Sequence, residues 1–133
     1  MMPSAFTLTI PGDPCISLNV YLRSHWRVRS RTKQAWIAQV MSAAIVYVAD
    51  QQAQGATLYL HDLLANGKPR QVTLAYYFAD HRRRDADNYL KIMLDALVRN
   101  GMLVDDSPEW CHAEAVIAVD KDNPRTEIRM VEV

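Results

Sequence analysis

Two carboxylates, Asp85 and Asp87, follow three arginines, Arg82, Arg83 and Arg84, in a run that reads HRRRDADN. Guanidinium groups hold phosphates, and carboxylates aimed at one point hold a hard divalent cation, which prefers oxygen ligands. Lys91 and Asp95 come next, and Asp105 and Asp106 lie beyond Gly101. Reach decides whether these can form one group. A helix from Asp87 to Asn100 measures roughly 20 Å, and a return from Gly101 to Asp106 spans at most roughly 16–18 Å. If Met102 to Val104 run back antiparallel to the helix, Asp106 ends about one side-chain length from Asp87. Asp85, Asp87 and Asp106 are then candidate ligands for one Mg²⁺ or a pair, with Mn²⁺ as a substitute. Lys91 is placed to orient water, stabilise a transition state or protonate a leaving oxygen. The reaction class that follows is metal-dependent phosphodiester hydrolysis.

The plain alternatives are turns, caps and surface ion pairs. A DxD pair is common in such settings, and Asp120 to Asn123, DKDN, repeats the pattern where a hairpin turn accounts for it. Lys91 and Asp95 also suit an i,i+4 ion pair. Two other motifs fail. A calcium loop starting at Asp85 needs Gly where Leu90 stands and Glu where Ala96 stands. A phosphatase nucleophile is expected directly after a strand, but HRRR intervenes.

The elements that must position these groups can be read from periodicity. Phe6 to Ile10 alternates and is β-branched, a strand ended by Pro11, Gly12 and Pro14. The segment PCISLNVYLRSHWRVRSRTK mixes turn residues and aromatics with Arg23, Arg27, Arg29, Arg31 and Lys33 and no acid, which suggests an extended or looped arm. A helix is expected from about Arg31 to Gln52, capped by Ser30 or Thr32, with Trp36, Val40, Ala43 and Tyr47 as one apolar stripe and Ile37, Met41, Ala44 and Val48 as the next. Thr57 to Leu60 suits a short strand and Asn66-Gly67 a turn. Val72 to Phe78 reads as a strong strand. Leu90, Met93, Leu94 and Leu97 predict a helix over about 88–99, with Asp87 as N-cap and Asn100-Gly101 as its stop. Ala113 to Asp120 and Glu127 to Val133 read as strands joined by the DKDNPR turn. The expected fold class is α+β: a single domain over 1–133, with a small mixed or antiparallel sheet and two main helices packed on one face.

Composition bounds the rest. Half of the 133 residues are hydrophobic and 23% charged, which fits a globular domain with a real core. No stretch is apolar for long enough to suggest a membrane span, and the N-terminus lacks the features of a secretory signal, so the expected compartment is the cytoplasm. Cys15 and Cys111 have no ligand-like spacing and read as free thiols; the four histidines are scattered. A net charge of zero argues against a plain basic nucleic-acid binder, yet it hides a division. Residues 1–84 carry ten Lys or Arg and four Asp or Glu; residues 85–133 carry five and eleven. The sign changes between Arg84 and Asp85, as if one part attracts phosphate and another holds cations.

HRRRDADNYLKIMLDALVRNGMLVDD closely resembles the core motif of the RusA-like endodeoxyribonucleases, Holliday-junction resolvases of bacteria and their phages. The ordered elements are Arg82 to Arg84, Asp85 to Asn88, Lys91, Asp95 to Leu97, Gly101 and Asp105-Asp106. A weaker upstream match is Pro14, Ser17 and Asn19 followed by the basic arm. The resemblance implies Asp85, Asp87 and Asp106 as metal-binding acids, Lys91 as a catalytic cation, and a homodimer that places two sites on opposing strands of a four-way junction. Arg23, Arg27, Arg29, Arg31, Lys33, Arg82, Arg83 and Arg84 are the expected DNA contacts. Against that family pattern, Gln51 to Arg70 looks like an insertion. Two other readings stay open: a non-catalytic DNA-binding module, and a metal nuclease acting on other branched or single-stranded DNA.

Overall fold

The computed structural model describes residues 4–133. Strand β1, Ala5–Pro11, turns Phe6, Leu8 and Ile10 inward, as its alternation requires. Helix α1, Leu18–Arg23, is short and is capped by the Ser17 hydroxyl, which accepts the Val20 N–H at 3.3 Å. Helix α2 is long, Trp26–Ala53, and its N-cap is His25, whose Nδ1 accepts the Arg27 N–H at 3.2 Å.

The basic segment is therefore helical, not an extended arm, and α2 begins at Trp26 rather than near Arg31. The reason is physical: Arg and Lys are good helix formers, but the first turns of α2 bury little, so no apolar stripe marks them. The apolar stripes further along are core-facing as expected. Val40, Ala43, Ala44 and Val48 are buried, with Trp36, Ile37 and Tyr47 packed against them.

After α2 the expected strand at Thr57 to Leu60 does not form. The Leu58 carbonyl accepts from the Gln52 side chain at 2.7 Å, and a 3₁₀ turn follows over Leu60–Leu63. Asn66 and Gly67 make the predicted turn, with φ of 51° and 72°. Gln51 to Arg70 is not a loose insertion: Leu58, Leu63 and Ala65 are buried.

Strand β2, Arg70–Phe78, leads into a 3₁₀ turn, Ala86–Tyr89, then helix α3, Lys91–Arg99, and strand β3, Cys111–Val119. Strands β2 and β3 are parallel, which requires a crossover such as α3. Strand β4, Arg125–Glu132, runs antiparallel to both β1 and β2, giving the sheet order β1-β4-β2-β3. The DKDNPR segment is thus no hairpin: β3 and β4 lie on either side of β2. The connection passes the end of β2, where the Asp120 N–H donates to the Phe78 carbonyl at 2.8 Å.

The result is one small α+β domain with a four-stranded mixed sheet. Phe6, Leu8, Ile10, Val72, Leu74, Tyr76, Ile128 and Met130 form the sheet's share of the core; Val40, Val48, Met93 and Leu97 come from the helices. Among the described residues no helix is long and apolar enough to cross a membrane. Both cysteines are free and buried, as read.

Gly101 ends α3 with φ 77°, and a Cβ there would lie 3.3 Å from Leu64 Cδ2. Gly101→Ala should destabilise the domain by about 1–2 kcal/mol through backbone strain, measurable as a lowered urea midpoint. An unchanged midpoint would show that the strip after α3 relaxes freely.

Candidate active site

The end of β2 sets the first wall of the site. Asp80 closes a tight turn: its Oδ1 accepts the Arg82 N–H at 3.0 Å and pairs with Arg84 Nη2 at 2.9 Å. These contacts, the backbone N–H first, hold the Asp80 carboxyl below the usual carboxylate range. Arg84 folds back over Phe78, its Cζ 3.6 Å from the ring centroid, and its side chain is only 5% exposed. Its Nη1 donates to the Arg82 carbonyl at 3.1 Å. The three arginines therefore divide: Arg82 and Arg83 face solvent, whereas Arg84 is packed into the wall.

The turn that carries Asp85 and Asp87 is built differently from the sequence expectation. Asp85, not Asp87, is the cap: its Oδ1 accepts the Asp87 N–H at 3.1 Å, opening the 3₁₀ turn. Leu90 separates that turn from α3, which has no side-chain cap. The Asp87 carboxylate is exposed and, among the described residues, has no hydrogen-bond or ion-pair partner. Relieved of capping, it is free to take a ligand.

Lys91 opens α3. Its Nζ lies 2.7 Å from Asp106 Oδ2 and 3.1 Å from Asp95 Oδ1. The strip from Gly101 to Asp106 thus runs back along α3 to its first residue, where Asp106 meets Lys91. It is fastened on the way. The Ala65 N–H donates to the Gly101 carbonyl at 2.9 Å, and buried Arg70 donates from Nη1 to the Met102 carbonyl at 2.9 Å. Arg70 also holds the Leu63 and Leu64 carbonyls, at 2.6 Å and 3.0 Å. Sequence reading assigned Arg70 nothing; a lone arginine heading a β-rich strand gives no periodic signal of what it will hold.

Lys91 and Asp106 shift each other. Hydrogen bonds to Asp106 and then Asp95 raise the Lys91 pKa, and Lys91 pulls Asp106 below its usual value. The sign follows from the directions. A depressed Asp106 contributes fully above 3.8 and loses its contribution as acid passes its folded value. A raised Lys91 contributes fully below 10.5 and loses its part above that. Because Lys91 is half exposed, the pair should stabilise by under about 1 kcal/mol. The difference in urea midpoint between wild type and Asp106→Asn should stay constant from about pH 5 to 9 and shrink as the pH drops below 3.8. A difference that varies across neutral pH would contradict the pairing.

An open cleft of about 750 Å³ lies on the Arg82–Asp85 side of the site; Asp87, Lys91 and Asp106 do not line it. One wall is Asp13, Cys15 and Ser17, from the segment between β1 and α1; the other includes Arg82, Arg83, Arg84, Asp85 and Asn88. The upstream and downstream motifs thus meet across one opening. The family model for endodeoxyribonuclease RusA matches residues 17–131 of the chain. The chain belongs to the RusA endodeoxyribonuclease family. No curated protein matches it. Its class of chemistry is accordingly nuclease hydrolysis of DNA.

In this RusA-family chain the basic arm also gains a definite place. Arg23, Arg27 and Arg31 are exposed, Arg29 and Lys33 partly so, and among the described residues none of the five has an ion-pair partner. Lys33 lines the same small hollow as Lys91 and Asp95, so the start of α2 abuts the start of α3. Trp26 is 60% exposed beneath Arg27, whose Cζ is 5.3 Å from its ring, whereas Tyr21 packs against the core. Cations crowd the N-terminal turns of α2, and its last turn has no basic residue. That runs against the helix dipole, which favours anions at the N-terminus.

The oxygen donors suit Mg²⁺ in type: Asp87 is unengaged and Asp106 is ionised beside Lys91. Among the described residues, however, no three Asp, Glu, His or Cys side chains gather closely enough to hold an ion as they stand. The acids brought together by direct contact are Asp95 and Asp106 around Lys91, and Asp85 with the backbone of Asp87. The second DxD-like pattern is accounted for structurally. Asp120 binds Arg125 at 2.8 Å and its Oδ1 accepts the Asn123 N–H, and Arg125 lies 3.8 Å over Tyr77.

Proposed function

We propose that the chain is a Mg²⁺-dependent, structure-selective endonuclease that resolves four-way (Holliday) junctions as a homodimer, in DNA recombination and repair. The observation that carries the reading is the return of Asp106 to Lys91, directly after the turn that bears Asp85 and Asp87. Asp85, Asp87 and Asp106 would hold Mg²⁺, which supplies charge neutralisation and an activated water at a phosphodiester. Lys91 carries a positive charge at neutral pH and sits where it can stabilise an anionic phosphorane or protonate the leaving oxygen. Arg82 and Arg83 flank the carboxylates and would fix the phosphate backbone without reading sequence. Arg23, Arg27, Arg29, Arg31 and Lys33 extend that cationic surface, and Arg84 supports it from within the wall. Two symmetry-related sites suit a substrate that needs two related cuts.

One observation favours a second reading. Lys91 pairs with Asp106, which a purely DNA-binding module would also allow. The deciding experiment incubates the chain at fixed salt with a synthetic four-way junction, a fork and a duplex, in Mg²⁺, in Mn²⁺ and in chelator. Paired, metal-dependent cuts confined to the junction are expected. Binding without cutting in either metal would favour the module, cutting of the fork as well as the junction would favour a nuclease for other branched DNA, and equal cutting of all three would overturn the resolvase reading.

A further inference from the structure

The wall of the cleft that carries Asp85 is tied to the sheet by one buried side chain. Tyr76, in the central strand β2, is fully buried. Its hydroxyl donates to the Tyr89 carbonyl, at the end of the 3₁₀ turn that carries Asp85 and Asp87. Cys15, in the opposite wall, is buried in the same core. The surrounding rings are already fixed. Tyr76 packs against Tyr89 at 5.6 Å between centroids, and Tyr89 meets Phe78 edge-on at 5.5 Å, with Arg84 over the other contact surface of Phe78.

We propose that the Tyr76 hydroxyl is a positioning group that ties the Asp85–Asp87 turn to the central strand β2, and so fixes that wall of the cleft. It forms no contact with substrate; it acts through the Tyr89 carbonyl. The Tyr76 O–H donates to the Tyr89 carbonyl. Burial pushes Tyr76 well above its ordinary value, which keeps that proton in place. A buried hydroxyl needs a partner, and this one finds it in the turn. Beyond the ring packing of Tyr89, the turn's other hydrogen bonds are its own, the Asp87 N–H to the Asp85 carboxylate and the Asn88 N–H to the Asp85 carbonyl. The Tyr76 hydroxyl adds a directional bond from outside it. The proposal rests on the nuclease reading for its effect on turnover, but not for its effect on the turn itself.

Tyr76→Phe keeps the ring and removes only the hydroxyl. Amide exchange followed by NMR should accelerate roughly tenfold at Asp87 and Asn88 while the β2 amide of Leu74 keeps its protection. Junction cleavage should lose roughly ten- to hundredfold in kcat with Kd for the junction little changed. Ile128→Val, a core truncation opposite Leu74, serves as the comparison: it should lower Tm without either effect. Cys15→Ala, which leaves the Tyr89 arm intact, should leave Asp87 and Asn88 exchange as in wild type. Unchanged exchange at Asp87 and Asn88 in Tyr76→Phe overturns the proposal, as does a kcat loss that Ile128→Val reproduces at equal loss of Tm. If the parent chain cuts no junction at all, the nuclease reading fails and the exchange measurement still decides the tether.

Discussion

Asp85→Asn should lower junction cleavage in Mg²⁺ by about a thousandfold, the scale of several kcal/mol of lost transition-state charge stabilisation. The substitution is conservative where it matters for folding. Asp85 caps its turn by accepting the Asp87 N–H through Oδ1, and the amide oxygen of Asn can accept the same bond. What disappears is one negative charge beside the exposed Asp87. Junction affinity should fall little, because in protein–DNA complexes contacts to phosphate supply much of the affinity. The measurement is single-turnover cleavage beside a gel-shift titration at one salt concentration. Cutting at the wild-type rate would remove Asp85 from the site; loss of binding in step with cutting would make its role one of folding or DNA contact.

The largest stability effect should come from a residue outside the catalytic motif. Arg70 is 1% exposed and donates to three carbonyls, those of Leu63, Leu64 and Met102. Burial lowers its pKa, and the charge of Glu132 works in the opposite direction. Arg70→Met fills similar space and leaves three buried acceptors without their donor, at a cost of about 3–5 kcal/mol. Urea denaturation should register the loss as a lower midpoint with little change in slope. A loss below about 1 kcal/mol would mean that water replaces the guanidinium at those carbonyls. Because Met102 leads to Asp106, a folded Arg70→Met chain should also cut more slowly than its stability alone explains.

What was legible in the residues depended on which faces are buried. Strand β1 and the core face of α3 declared themselves by period, since Phe6, Leu8, Ile10, Met93, Leu94 and Leu97 all face one core, and β2 by its β-favouring composition. The start of α2 did not, because its first turns carry charge on nearly every side and bury nothing that a period could mark. The pairing of β3 and β4 was misread for another reason: adjacency in sequence suggests a hairpin, while the parallel crossover through α3 places β2 between them. At the candidate site, reach allowed Asp106 to return toward Asp87, and the side chain it meets is that of Lys91. Spacing could not tell which aspartate caps the turn, because Asp85 and Asp87 are both good caps and the local 3₁₀ geometry decides between them. Nor could it foresee that Arg84 would leave its neighbours to lie on Phe78. A single residue's choice between solvent and ring is settled by tertiary packing.

The sheet order carries a consequence for when this molecule becomes competent during its synthesis. The final strand, β4, is the one inserted between β1 and β2, so the first strand has no partner until the last has emerged. The wall with Cys15 hangs from β1 and the wall with Asp85 from β2. A nascent chain that stops short of Arg125 therefore already contains every carboxylate and cation of the site, yet has no strand to bring the two walls face to face. Such long-range closure is slow to fold compared with local structure. For an enzyme that cuts DNA, the delay separates the making of its reactive groups from the moment they can act together.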